Sequence, residues 1–226
     1  MTRSLRLFPA LALLSVVVTI PLSACSFDNR RVSGHVHQTV AIPNRGSLTV
    51  SEAHGTIRVE AWSKPLVSVD ATQYASDEAA LRQVRIDVKR TPDGVAVSTT
   101  STGSGSFTGS GDVDFVIHAP ASAELDLSTD AGVIIVNGSR ASVKARTSAG
   151  EIDARMALVG GAQQITLRAT TGQIMLRIPQ SSSATIDARA MIGSSTTDFQ
   201  ASKIGSGAAT ISMHVITGEV ELKSGG

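Results

Sequence analysis

A short glycine-centred motif recurs through the second half of the chain and constrains the fold more than any other feature. In each copy, small polar residues precede a glycine, and a polar residue and an apolar segment follow it. The glycines concerned are Gly55, in an isolated early copy, and Gly132, Gly150, Gly172, Gly193 and Gly218. The later copies lie 18, 22, 21 and 25 residues apart. Repeats of this length are typical of a coil of short strands in which each turn stacks on the one before.

The segments around these glycines alternate between apolar and polar residues, as strands with one buried face do. Residues 56–60, 113–117 and 165–168 show the pattern, and only residues 76–84 suggest a helix, with Ser76 as its N-cap. We predict an all-β, right-handed, solenoid-like stack of short strands. The glycines would take positive φ angles at its corners, where a Cβ atom would clash. The alternative is an antiparallel β-sandwich with glycine turns.

The first 24 residues have the organisation of a secretory signal. Arg3 and Arg6 precede an apolar run over residues 11–20, which is too short to span a membrane. The run leads into residues 22–25, Leu-Ser-Ala-Cys, which resemble the lipobox of bacterial lipoproteins. That resemblance implies cleavage before Cys25 and acylation of its thiol, and acyl chains such as palmitate would hold the chain at a membrane. An ordinary secretory signal with an incidental cysteine is the alternative.

The composition divides the chain into four segments. Residues 1–24 are the predicted signal, and residues 25–45 are interpreted as a tether. Residues 46–112 form an N-terminal β part that ends in a loop of serine, threonine and glycine. Residues 113–226 form a C-terminal β-repeat part, which contains most of the glycine motifs.

Charge and aromatic content exclude several classes of function. The chain has 20 basic and 19 acidic residues, and only 3% of its residues are aromatic. A nucleic-acid-binding protein usually has a basic surplus and aromatic side chains for stacking, so we expect no nucleic-acid partner. Cys25 is the single cysteine, which excludes a disulfide framework and a multi-cysteine zinc site. We also expect no cofactor.

Few residues are candidates for chemistry. His35 and His37 would share one face of a strand and could form a metal pair, but two exposed side chains in a tether are the favoured interpretation. Acidic residues in the repeats could bind calcium or act on a polysaccharide, although the solvent face of any amphipathic strand looks the same. They are Asp126, Asp130, Glu151, Asp153 and Asp187. We predict neither a metal site nor a catalytic residue.

The glycine motifs, the strands that end at proline and the lipobox-like start together resemble the DUF4097, or toastrack, family of β-strand-repeat proteins. The resemblance covers residues 46–226 and is strongest over residues 113–222. It implies an all-β, solenoid-like fold on a protein of the bacterial envelope, in a family where adhesin is one of the labels in use. It implies no agreed activity and no catalytic residues.

These observations favour a non-enzymatic scaffold or adhesion module that Cys25 anchors to the outer face of a membrane. A carbohydrate-active β-helix enzyme that uses the stacked carboxylates is one alternative, and a sensor or regulator of envelope stress is another. The partner is unknown. Residues 215–222 would form an uncapped strand at the end of the stack, and such an edge predicts weak self-association.

Overall fold

A computed structural model describes residues 32–101 and 112–225. The predicted signal, Cys25 and residues 102–111 of the Ser/Gly-rich loop lie outside these ranges. In chain order the elements are β1 (Val32–Ala41), β2 (Ser47–Trp62), β3 (Leu66–Ala75), α1 (Glu78–Leu81), β4 (Val84–Thr91), β5 (Gly94–Ser101), β6 (Asp112–Pro120), β7 (Glu124–Ser139), β8 (Val143–Met156), β9 (Gln164–Ile178), β10 (Ala184–Thr197), β11 (Lys203–Ile204) and β12 (Ala209–Ser224). The predicted all-β class is confirmed.

A parallel stack forms the body of the molecule. Strands β2, β7, β8, β9, β12 and β10 pair side by side in that order, and every neighbouring pair is parallel. The register aligns the repeat glycines, so that Gly132 lies between Gly55 and Gly150, and Gly172 lies between Gly150 and Gly218. The antiparallel sandwich is therefore wrong for these strands.

Each strand of the stack bends at its repeat glycine. The φ angles of these glycines lie between +130° and +149°, a region that residues with a side chain rarely adopt. A Cβ atom at Gly150 would also lie 1.8 Å from the carbonyl oxygen of Gly132 on the neighbouring strand. The row of glycines thus allows six backbones to approach closely while all of them turn at the same level.

The core lies between the two halves of the bent strands. On β9, Ile165 and Leu167 before the bend and Ile174 and Leu176 after it are fully buried. Both pairs belong to one continuous cluster of aliphatic side chains. Because alternate residues of both halves enter this cluster, the halves cover each other's apolar face. Each such side chain contributes roughly 2 kcal/mol through burial.

At the N-terminal end, β2 divides its outer edge between two neighbours. Its first half pairs with β5 of the β4–β5 hairpin, and its second half pairs with β6, which continues the sheet through β3 to β1. The division at residue 112 therefore separates no structural units, because β6 belongs to the N-terminal sheet. The tether prediction is wrong for residues 32–41, which form β1, since Val36 and Val40 pack against the core.

The C-terminal strand does not lie at the end of the stack. Strand β12 is inserted between β9 and β10, so the prediction of an open edge over residues 215–222 is wrong. Val220 and Leu222 are buried in β12, whereas β10 has Ser195 and Thr197 at the same levels. Polar residues tolerate the edge position better than valine and leucine do. Self-association itself stays a prediction, and β10 pairs on its other side with the two-residue strand β11.

The helix is shorter than the sequence pattern indicates. It covers only Glu78–Leu81, because β4 begins at Val84. Its N-cap is Asp77 rather than Ser76, and the Asp77 carboxylate accepts a hydrogen bond from the backbone N–H of Ala80 at 2.8 Å. Within residues 32–101 and 112–225, no helix has the length and apolar character needed to cross a membrane.

Candidate functional site

Four basic side chains form a row across the C-terminal half of the stack, and we call this row the basic column. It consists of Arg146 on β8, Arg168 on β9, His214 on β12 and Arg189 on β10. The strand register places each of them directly beside the next. Because neighbouring strands are about 4.8 Å apart, the four positions span about 14 Å along the stack.

The basic column points outward because its residues alternate with core residues. Ala145 and Thr147 flank Arg146, Leu167 and Ala169 flank Arg168, and all four of these neighbours are buried. Successive side chains of a strand lie on opposite faces, so the two arginines must face solvent. Every member of the column lies four residues before the repeat glycine of its strand. An alignment of the motifs on their glycines would have shown the column, which a reading along the chain misses.

Ion pairs hold most of the column in place. Asp126 accepts contacts from Lys144 and Arg146, each at 3.3 Å. At the other end, Asp187 is 2.6 Å from Arg189 and 3.2 Å from His214. Arg168 lies between these two groups, is exposed, and has no ion pair with any residue that the structure describes. Its guanidinium is therefore the charge in the row that has no carboxylate partner in the described part of the chain.

A shallow groove of about 750 Å³ follows the basic column along the stack. One side of the groove consists of the column itself. The other side consists of the outward residues next to the glycine bends, which are Asp130, Ser148, Thr170, Ile216 and Met191. Met191 and Ile216 are exposed apolar side chains at the end of the groove near β10. The surface thus combines guanidinium groups, hydroxyl groups and a small apolar end.

The five acidic candidates do not converge. Asp126 and Asp187 lie before the bends of β7 and β10, and β8, β9 and β12 separate those two strands. Four strand spacings put these carboxylates about 19 Å apart. Glu151 and Asp153 lie beyond the bend of β8, on the other half of the stack, where Asp153 contacts Arg177 at 2.5 Å. Asp130 lies at the bend of β7. Glycan hydrolysis by two carboxylates needs them about 5–9.5 Å apart, so Asp126 and Asp187 cannot act as such a pair.

The histidine pair lies on the edge strand β1. His35 contacts the Thr72 hydroxyl at 3.1 Å, and His37 contacts the Asp70 carboxylate at 2.6 Å. Both partners belong to β3. Among the described residues, no group of three or more histidine, cysteine, aspartate or glutamate side chains could hold a metal ion.

A buried acid that the sequence reading missed lies at the bend of β2. Glu52 is 6% exposed, and one of its carboxylate oxygens has no hydrogen-bond partner in the described residues. Burial raises the pKa of the Glu52 carboxyl to about 9, the Asp114 carboxylate adds to the rise, and a hydrogen bond from the backbone of Val113 opposes it. The sequence signal for this burial is the alternation along β2. Every second residue faces the core, and Glu52 follows Leu48 and Val50 at that spacing.

The comparison with family profiles decides where this architecture belongs. A profile described as Toastrack DUF4097 matches residues 15–225, which is nearly the whole chain. The chain belongs to the DUF4097 (Toastrack) family. The resemblance noted from the glycine motifs is thereby confirmed. The comparison with curated proteins gives no match.

A solved structure shares the fold of this Toastrack protein at low sequence identity, and a second one matches with a lower score. A putative cell adhesion protein from Clostridium sporogenes superposes with a TM-score of 0.64 at 11% identity, covering 86% of this chain and 100% of that one. A putative adhesin from Bacteroides fragilis gives a TM-score of 0.35 at 12% identity, covering 84% of this chain and 97% of that one. The first likeness establishes the same fold in an independent structure.

Proposed function

We propose that this Toastrack protein is a lipid-anchored protein of the bacterial envelope, whose β-repeat body is a non-enzymatic binding scaffold. The observation that carries the proposal is the arrangement of charge on the stack. Side chains on successive strands form outward rows, and the basic column is one of them. A rigid, extended surface of this kind suits recognition of a partner. The solved structure with the same fold is described as a putative cell adhesion protein, which supports the proposal.

The dispersed carboxylates argue for binding and against the glycan-cleaving alternative. Asp126, Asp153 and Asp187 each pair with basic side chains instead of with one another. These three carboxylates therefore work as counter-ions that hold the basic side chains in position.

The anchoring part of the proposal rests on the sequence. Residues 22–25 have the small residues and the cysteine that a lipobox requires, and Cys25 precedes the start of β1 at Val32 by seven residues. An acylated Cys25 would keep Val32, at the start of β1, within about 24 Å of the membrane surface, even if the connecting residues were fully extended. The basic column would then lie on the part of the stack farther from the anchor.

Detergent-phase partition of the full-length chain tests the anchor. We expect the wild-type protein in the detergent phase and the Cys25→Ala variant in the aqueous phase, because each buried methylene of an acyl chain contributes about 0.8 kcal/mol to membrane affinity. Ser26→Ala, which changes the neighbouring residue and keeps the thiol, is the matched control and should partition like the wild type. A Cys25→Ala protein that remains in the detergent phase would contradict lipid anchoring.

A further inference from the structure

We propose that the basic column binds a linear anionic polysaccharide that lies along the stack, across β8, β9, β12 and β10. This inference rests on the proposed scaffold function and names the class of its ligand. It starts from Arg168, the exposed guanidinium that has no carboxylate partner among the described residues. Arginine binds sulfate, phosphate and carboxylate groups through paired, charge-assisted hydrogen bonds. An exposed and unpaired arginine within an ordered row is therefore available to an anion.

The flanking arginines can contribute without giving up their ion pairs. Arg146 uses one terminal nitrogen for Asp126, and Arg189 uses its Nε atom for Asp187. A guanidinium has five N–H donors, so each of these side chains keeps donors for a second anion. The ion pairs reduce the mobility of both side chains, which lowers the entropy lost when a ligand binds.

The direction of the column favours a chain with regularly spaced charges. Its four members lie on four consecutive strands and together span about 14 Å at a spacing of about 4.8 Å. A polymer that follows the groove would meet one basic side chain on every strand. A single small anion would use only one or two of them, so the repeated arrangement provides affinity mainly for a multivalent ligand.

The position of the column on a sheet face favours a glycan over a peptide. Strands β8, β9 and β12 have a paired neighbour on both sides, so their backbone groups are already bonded. Peptides that add to a sheet bind through backbone groups at an edge, and the outer edge of this stack is on β10, where Ala184 and Thr185 pair further with β11. The face offers side chains alone. Its hydroxyl groups on Ser148 and Thr170 lie in the same groove and can bond to sugar hydroxyls.

The composition of the groove disfavours single-stranded nucleic acid, although its phosphates are also anionic. Proteins that bind single strands stack the bases on aromatic side chains. The residues that line this groove are charged, hydroxyl-bearing or aliphatic apart from His214, and none is phenylalanine, tyrosine or tryptophan. Bases would have no such platform on this surface.

Binding of a labelled sulfated glucan tests the site. The full-length protein in neutral detergent is titrated into fluorescent dextran sulfate, and unsulfated dextran of equal length is the ligand control. We expect binding to the sulfated polymer alone, weakening as salt is added. Arg168→Gln should lower the affinity about tenfold, since one charge-assisted contact is lost. Arg155→Gln is the matched control. Arg155, on β8, is likewise an exposed arginine without a described ion pair, but it lies beyond the bend and outside the basic column.

Several outcomes would overturn the proposal. Equal affinities of the Arg168→Gln and Arg155→Gln proteins would remove the basic column as the site. Equal binding of unsulfated dextran would remove anion recognition. Polyglutamate or a thymidine oligonucleotide that competes as well as dextran sulfate would overturn the choice of a glycan. Shortening of the polymer during incubation would instead contradict the non-enzymatic scaffold function, and size-exclusion chromatography of the recovered polymer separates that failure from a failure of the site.

Discussion

Each repeat glycine meets two requirements, and only one of them concerns the dihedral angle. Gly172 has a φ of +133°, which an alanine could adopt only under strain. Its missing Cβ atom also leaves room for the carbonyl oxygen of Gly150, which a Cβ would approach to 1.8 Å. An asparagine, which tolerates some positive φ angles, would still clash with that backbone. The second requirement explains why glycine recurs on every strand of the row.

Replacement of Gly150 by alanine should lower the free energy of unfolding by on the order of 3 kcal/mol, from the φ strain and the contact with the Gly132 carbonyl together. Urea denaturation followed by circular dichroism measures the loss. Gly160→Ala is the matched control, because a Cβ at Gly160 would have no atom within 4 Å. Equal stabilities of the two variants would show that the bend does not depend on glycine.

The buried Glu52 makes stability depend on pH. Its pKa of about 9 in the folded protein exceeds the ordinary value of 4.5, so the folded state keeps a proton that the unfolded chain releases. The free energy of unfolding should therefore fall as the pH rises through this window, because the folded state binds more protons. Glu52→Gln keeps the shape of the side chain and removes the titration. We expect it to flatten this pH dependence and to raise the melting temperature at about pH 8.

The exposed Glu124 supplies the control for this experiment. Glu124→Gln removes one carboxylate from the surface of β7 and should leave the pH profile of the melting temperature close to that of the wild type. A Glu52→Gln protein that melts at a lower temperature than the wild type at about pH 8 would show that the carboxylate of Glu52 is ionised and paired in the folded state.

Among the strands, β10 and β12 carry the same motif but occupy different positions. Val220 of β12 lies between Ile174 of β9 and Ser195 of β10, and it is fully buried. Ser195 is exposed on the outer strand. The last strand of a stack needs polar residues where inner strands need aliphatic ones, as in the capping repeats of other repeat proteins. The degenerate motif around Gly193 is this cap.

A lysine introduced at each of these two positions should have very different effects. Val220→Lys places a charge in the core and should cost about 4 kcal/mol of stability, whereas Ser195→Lys should cost about 1 kcal/mol or less. Thermal melting of both variants measures the difference. If β12 formed the outer edge, the order of the two effects would be reversed.

Local patterns predicted much of this arrangement, and long-range pairing was beyond them. Glycine spacing and apolar alternation indicate the strands and the six repeat glycines, whereas the basic column was not predicted and becomes visible only when the motifs are aligned on those glycines. The insertion of β12 depends on how β10 and β12 compete for the edge of β9. That competition is decided by contacts between residues far apart in sequence. For the same reason, nothing local showed that residues 32–41 pair with β3.

At the level of the whole molecule, β2 joins the two ends of the fold. It pairs with β7 of the stack on one side and with β5 and β6 on the other. One hydrophobic cluster extends from Ile42 to Leu222 through this junction. Because removal of either side would expose apolar surface of β2, the N-terminal sheet and the stack should unfold together.

Trp62 allows that cooperativity to be measured. It is the single tryptophan, donates a hydrogen bond to the carbonyl of Leu66 at 2.8 Å and packs against the ring of His118 on β6. Its fluorescence reports on the junction between β2 and β6, while far-ultraviolet circular dichroism reports on all strands. We expect the two signals to give the same midpoint in urea. Separate midpoints would show that the N-terminal sheet unfolds independently of the stack.

The insertion of β12 between β9 and β10 also sets an order of events during synthesis. A chain that emerges from its N-terminus can add β7, β8 and β9 to β2 one after another as each is completed. Strand β10 comes next, but its partner is β12, whose residues 209–224 are made later. Until then β9 exposes an aliphatic edge and β10 has no place to dock. A ribosome that stops just before β12 would therefore release a chain in which β10, and β11 that pairs with it, also lack their place in the sheet.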